Sequence, residues 1–216
     1  MAKHISWSDD YWLLLMQLYL KKPEGVKPVF SRAMIDLSLE LHIPPRFLHA
    51  QMFRLRQLDT PYIEHLWRTY GDNPRKLQRE VKLLRQMNGF NTAGGFYEGV
   101  HTNESFELDF KPIDTCPDLQ PVKLVMILEL YFRLTPNTMV KETPEIVELS
   151  RLLKITPSRV VEVMQLFQQC DPYLQRNPLG NDPLSRECAE VWTRFVNDNS
   201  DRLSALAAQL KEYFVG

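Results

Sequence analysis

The sequence predicts an all-α protein built from two copies of one helical domain. Three observations carry that expectation. Apolar residues recur at helical spacing across both halves of the chain, and only residues 89–121 break the rhythm. Proline repeatedly follows a small polar residue, at Thr60-Pro61, Asn73-Pro74, Thr143-Pro144, Thr156-Pro157 and Asp182-Pro183. Such a pair opens a helix, because the side-chain oxygen accepts a first-turn N–H and proline has no N–H to leave unpaired. Finally, residues 36–59, DLSLELHIPPRFLHAQMFRLRQLD, are echoed by residues 148–171, ELSRLLKITPSRVVEVMQLFQQCD.

The echo extends well beyond those segments. A shift of 112 residues lays positions 15–62 on 127–174 without a gap, and ten of the 48 pairs are identical, among them Tyr19/Tyr131, Ser38/Ser150, Ile43/Ile155 and Met52/Met164. Average composition would give about three. After an insertion in the second copy the agreement resumes, with Trp67 on Trp192, Leu77 on Leu203 and Leu84 on Leu210. A period this long implies two tandem domains rather than a solenoid. The expected organisation is a first repeat over 1–100, a linker with possible short strands over 101–118, and a second repeat over 119–216. Residues 8–88 and 119–214 should then superpose helix for helix, with Trp67 and Trp192 in equivalent surroundings.

Five helices fit each copy. The first begins near Ser8, whose hydroxyl can cap it, and runs to about Lys22 before Pro23 and Gly25. The second covers about Arg32 to Leu41, and the third runs from Pro45 to about Leu58. Thr60-Pro61 opens the fourth, and Asn73-Pro74 opens a fifth that ends at Asn88-Gly89. Residues 96–110, with FYEGV and FELDF flanking Asn103-Glu104, suggest a short β-hairpin. In the second copy helices run from Pro121 to Leu134, from Pro144, Pro157 and Pro183 onward, and from Ser200 to Phe214. The insertion Arg176 to Asp182 reads as a surface loop.

Composition narrows the function classes. The net charge is -1, so any basic patch must be local. Three widely spaced cysteines, Cys116, Cys170 and Cys188, show no metal-ligand spacing, and no metal or cofactor is expected. The first apolar run, Tyr11 to Leu20, is too short to span a bilayer, so a cytoplasmic chain without membrane contact is expected.

The segments 36–59 and 148–171 resemble the helix-turn-helix class over about 22 residues each. Leu37, Ser38, Leu41, Ile43 and Leu48, and their counterparts Leu149, Ser150, Leu153, Ile155, Val160 and Val163, stand at the apolar and small positions of that motif. Gln51 occupies a place where an apolar residue is expected. His42 and Lys154 replace the usual turn glycine. Leu41, Ile43, Leu48, Leu153, Ile155 and Val160 are expected to be buried. The resemblance implies that the third helix of a copy enters the DNA major groove.

Charge separates the copies. Between Arg46 and Arg85 nine basic residues face four acidic ones, a local +5. The third helix places Arg46, His49 and Phe53 on one face and turns Leu48, Met52 and Leu55 inward. Expected nucleic-acid contacts are Arg46, His49, Arg54 and Arg56 on that helix, and Arg75, Lys76 and Arg79 at the start of the fifth, where Lys76 can also pair with Glu80. The second copy contributes Ser158 and Arg159, beside a phosphate-repelling Glu162. His4, His42, His49, His65 and His101 have no metal-binding spacing, and no nucleophile elbow, phosphate loop or dinucleotide fingerprint occurs. The expectation is therefore a non-enzymatic DNA-binding protein, of the kind used in transcription regulation. A helical protein-interaction module is the alternative, with a protein partner on the second repeat.

Overall fold

A computed structural model describes residues 7–87, 90, 105–174, 180–196 and 200–215. Among these residues all regular structure is helical: eleven α-helices, one 3-10 turn at Pro136–Thr138, and no strand beyond an isolated bridge between Ile113 and Cys116. None of these helices is long and apolar enough to cross a membrane. The chain divides into two compact units, 1–104 and 105–216.

In the first unit the helices are α1 (Tyr11–Leu20), α2 (Arg32–Leu41), α3 (Pro45–Gln57), α4 (Pro61–Tyr70) and α5 (Pro74–Gln86). Helix α1 is the centre because apolar residues occupy nearly its whole circumference: Trp12, Leu14, Leu15, Met16 and Leu18 are all buried. Helices α2, α3 and α5 pack against it, α2 packs on α3, and α4 packs on α5. Trp67 of α4 sets its ring edge-on to Tyr19 of α1 at 5.5 Å, and its indole N–H donates to the Leu55 carbonyl at 2.9 Å, tying α4 to the end of α3.

Side-chain capping sets two of the first unit's five helix starts, those of α4 and α5. Thr60 accepts from Ile63 N–H at 3.3 Å and Asn73 from Lys76 N–H at 3.1 Å, each followed by proline at the first helical position. The first helix departs from expectation. It spans Tyr11–Leu20, its cap position is Asp10, and the Ser8 hydroxyl accepts from the Asp10 N–H at 3.4 Å instead of capping the first turn. The second- and third-position amides, of Trp12 and Leu13, bond to the Asp9 and Asp10 carbonyls at 3.2 and 3.1 Å. At the other end the buried Lys27 donates from Nζ to the carbonyls of Lys21, at 2.5 Å, and Pro23. A cation there opposes the negative end of the helix dipole.

The second unit contains α6 (Ser105–Asp109), α7 (Pro121–Arg133), α8 (Pro144–Leu153), α9 (Pro157–Cys170), α10 (Pro183–Val196) and α11 (Ser200–Val215). Nine of the thirteen residues of α7 are buried, which makes it the counterpart of α1. Helices α8, α9, α10 and α11 all pack on it. Trp192 of α10 meets Tyr131 of α7 at 5.9 Å and 70°, the same residue types and the same edge-on contact as Trp67 and Tyr19. Thr156 and Asp182 cap α9 and α10 as their sequence predicts. Thr143 does not cap α8; its hydroxyl donates to the Thr138 carbonyl at 2.5 Å instead.

The strand expectation fails wherever it can be checked. Residues 105–109 are helical, and Glu107 and Phe110 are buried while Leu108 is exposed. A strand through Phe106, Leu108 and Phe110 would have put all three on one side, whereas burial three residues apart is the helical period. Residues 96–104, with the expected turn at Asn103-Glu104, lie outside the described residues, as do the expected helix end at Asn88-Gly89 and most of the 176–182 loop. The stretch from 105 to 120 packs within the second unit, through Phe110 on Tyr213 at 5.1 Å and Asp109 on Arg194 at 2.7 and 3.1 Å.

Candidate nucleic-acid interface

Each unit presents its second and third helices through the same tight turn. His42 and Lys154 sit in the left-handed region, at φ 55° and 54°. The following amides bond back across the turn, Ile43 N–H to Ser38 O at 3.1 Å and Ile155 N–H to Ser150 O at 3.0 Å. This is the six-to-one closure of a helix end that normally recruits glycine. Leu37, Ser38, Leu41, Ile43 and Leu48 are buried, as are Leu149, Ser150, Leu153, Val160 and Val163. Two positions differ from the motif-based expectation. Ile155 is only half-buried, and there Ser150 Oγ turns back to Val147 O at 2.8 Å, whereas Ser38 Oγ bonds across the turn to Ile43 O. Gln51 is buried despite being polar, because its Oε1 accepts from Arg54 Nη1 at 3.1 Å.

Helix α3 turns Leu48, Met52 and Leu55 into the core. At 100° per residue its outward stripe is then Arg46, Ala50, Phe53 and Gln57, all exposed. Arg46, in the first turn, lies over Phe30 at 5.9 Å from the ring centre. His49 flanks the stripe and meets the edge of Phe53, itself 40% exposed, at 5.0 Å. Burial, then the neighbouring Arg46 charge, pushes the His49 imidazole below its ordinary value, so it is neutral near pH 7. Arg54 is engaged elsewhere: it pairs with Asp59 at 2.6 Å and lies over Trp12 at 5.8 Å. Arg56 is exposed.

Helix α5 buries Leu77, Val81 and Leu84, which leaves Arg75, Arg79, Lys82 and Gln86 along the opposite stripe. Lys82 was not singled out from the sequence, although its i+7 spacing from Arg75 is the signal. Lys76 falls to the side, with Nζ over the Tyr70 ring at 5.1 Å. The expected Lys76–Glu80 pair gives way to Arg79–Glu80 at 3.5 Å. Of the nine cations between Arg46 and Arg85, four pair with carboxylates: Arg54, Arg68, Arg79 and Arg85. Among the described residues Arg46, Arg56, Arg75, Lys76 and Lys82 have no carboxylate partner. The Arg46 and Lys76 clusters have different neighbours, and α3 and α5 both pack on α1.

The second unit treats its cations differently. Arg159 of α9 binds Asp118 at 3.1 and 3.4 Å and Glu162 at 2.7 Å, so two carboxylates hold the guanidinium that the sequence offered to DNA. Ser158 is exposed in the first turn, beside the Thr156 cap. Phe47 occupies the position of Arg159 in the first unit, and it packs on Trp7 at 5.7 Å. Among the described residues no three His, Cys, Asp or Glu side chains gather as a metal site.

Taken together, the fold and the site define a class: an all-helical chain of two units, with a tight left-handed turn between α2 and α3 in the first and between α8 and α9 in the second, and with five cations of α3 to α5 lacking a carboxylate partner among the described residues. Comparison with protein families, curated proteins and solved structures finds no match.

Proposed function

We propose that the chain binds duplex DNA through its first unit, with α3 at the major groove and the α5 stripe on the phosphate backbone, as in a transcription regulator. The observation that supports this most is the set of five cations without carboxylate partners, Arg46, Arg56, Arg75, Lys76 and Lys82, against the doubly held Arg159 in the second unit. A cation without a protein partner is available to displace the counterions of DNA, which is the main source of nonspecific affinity. The outward stripe of α3 also suits base edges: arginine fits guanine, glutamine fits adenine, and alanine or phenylalanine fits the thymine methyl. The same reading takes the two units as a tandem duplication, supported by matching turns and the matching Tyr–Trp contacts.

The test is a titration with random-sequence duplex DNA across salt concentrations. Replacing Arg75 and Lys82 together by alanine should weaken binding to all sequences alike and make the log–log salt slope shallower by about 1.8, at roughly 0.9 per lost contact. Absence of binding by the unaltered protein at low salt would transfer the function to protein interaction. For that second reading the supporting feature is Phe132, 50% exposed and 5.6 Å from Trp192, an aromatic surface on the second unit.

A further inference from the structure

Each unit holds a groove between its first, second and last helices: α1, α2 and α5 in one, and α7, α8 and α11 in the other. The two grooves use the same positions, so that Leu18 matches Leu130, Lys21 matches Arg133 and Leu37 matches Leu149. They differ at one contact between the second and last helix of the groove. In the first unit Arg85 donates from Nε and Nη2 to both carboxylate oxygens of Glu40, at 2.5 and 2.8 Å, and so fastens α5 to α2. In the second unit the position of Glu40 is Leu152. The position of Arg85 is Lys211, because Leu84 and Leu210 just before them are both buried. Lys211 therefore has no carboxylate partner among the described residues, and the groove has a volume of 780 Å³ against 430 Å³ in the first unit.

Six apolar and seven charged side chains line the larger groove. Met126, Leu130 and Leu149 are buried, and Phe214 stands half-buried beside them. Lys154 and Lys211 both line the groove. Glu129, paired with Arg133 at 3.5 Å, and Glu145 and Glu148 also line it, and among the described residues none of the three pairs with Lys211. A volume of this size accommodates a drug-sized or medium-chain ligand.

We infer that the α7–α8–α11 groove binds a small amphiphile, an alkyl chain ending in a carboxylate, whose head takes on Lys211 the place that Glu40 takes on Arg85. This site lies in the second unit and is independent of DNA binding by the first. The probe is decanoate, kept below micelle-forming concentrations and titrated into the full chain by calorimetry and by amide chemical shifts. Saturable binding with shifts confined to α7, α8 and α11 is expected. Lys211→Gln should weaken decanoate about tenfold, the worth of one charge-assisted contact, and leave decanol unchanged. Leu152→Glu should rebuild the first unit's bridge, raise the melting temperature and abolish decanoate binding. That second variant keeps the test open if Lys211→Gln folds poorly. Undetectable binding at millimolar decanoate, retention of binding in Leu152→Glu, or equal affinity for decyltrimethylammonium would overturn the assignment.

Discussion

The first and second units share a framework and differ in what they do with charge. In both, a largely apolar helix, α1 or α7, packs against most of the others, and a Tyr–Trp contact ties a later helix, α4 or α10, to it. In the first unit the cations of α3 and α5 mostly face solvent, and Arg85 bridges to Glu40 beside the groove. In the second, Arg159 is neutralised by two carboxylates and Lys211 has no carboxylate partner among the described residues. The lesson is that core positions constrain each other through packing, whereas surface charges can be redistributed at little cost in stability. Exposed ion pairs contribute only about 0–1 kcal/mol each. Two units with one core can therefore carry different chemistry.

The comparison breaks most sharply at the core. Leu153→Ala and Leu41→Ala remove buried leucines from corresponding turns, and each should cost about 2–5 kcal/mol in denaturant unfolding. A loss under about 0.5 kcal/mol for either would mean that its helix does not pack as described. Hydrogen exchange sharpens this, since Leu153→Ala should release the amides of the second unit first.

Recognition offers a smaller effect. Arg46→Ala should reduce preference at one base pair by about 1–3 kcal/mol. Ser158→Ala and Arg159→Ala should leave DNA binding unchanged, because Arg159 is already held by Asp118 and Glu162. Loss of binding in Arg159→Ala would move the interface to the second unit.

The turns give a smaller change again, of opposite sign. His42 and Lys154 hold left-handed backbone that side chains disfavour. Glycine at either position relieves that conformation but adds freedom to the unfolded chain, so His42→Gly and Lys154→Gly should each stabilise by roughly 0.5–1 kcal/mol. Destabilisation of one unit alone would show that its turn side chain makes contacts the other lacks.

The smallest effect is the titration of His49. Its folded value is lowered, so between that value and the ordinary value near 6.5 the unfolded chain binds more protons. Stability from this group is present above that window and is lost as the pH falls through it; His49→Gln should flatten the profile. DNA affinity should move the other way, rising on acidification as His49 gains charge beside Arg46. A pH-independent affinity would remove His49 from the interface.

Much of this was legible in the sequence because local chemistry decides it. Helix starts follow from a capping oxygen and a proline, as at Thr60, Asn73 and Thr156, and the buried faces of α3 and α5 follow from the 3.6-residue period. What the sequence could not give were the choices a polar side chain makes among several neighbours, near or distant along the chain. Arg54 and Arg159 read as free cations, yet Asp59 and Asp118 hold them, and Asp118 lies 41 residues from Arg159. Gln51 read as a flaw in the motif, but its amide oxygen has a partner in Arg54. The FELDF segment read as a strand until Glu107 and Phe110 were both buried in the second unit. Period and capping act over one or two turns and are written in adjacent letters. Ion pairing and burial depend on which surfaces the fold brings together, and only the tertiary structure decided those.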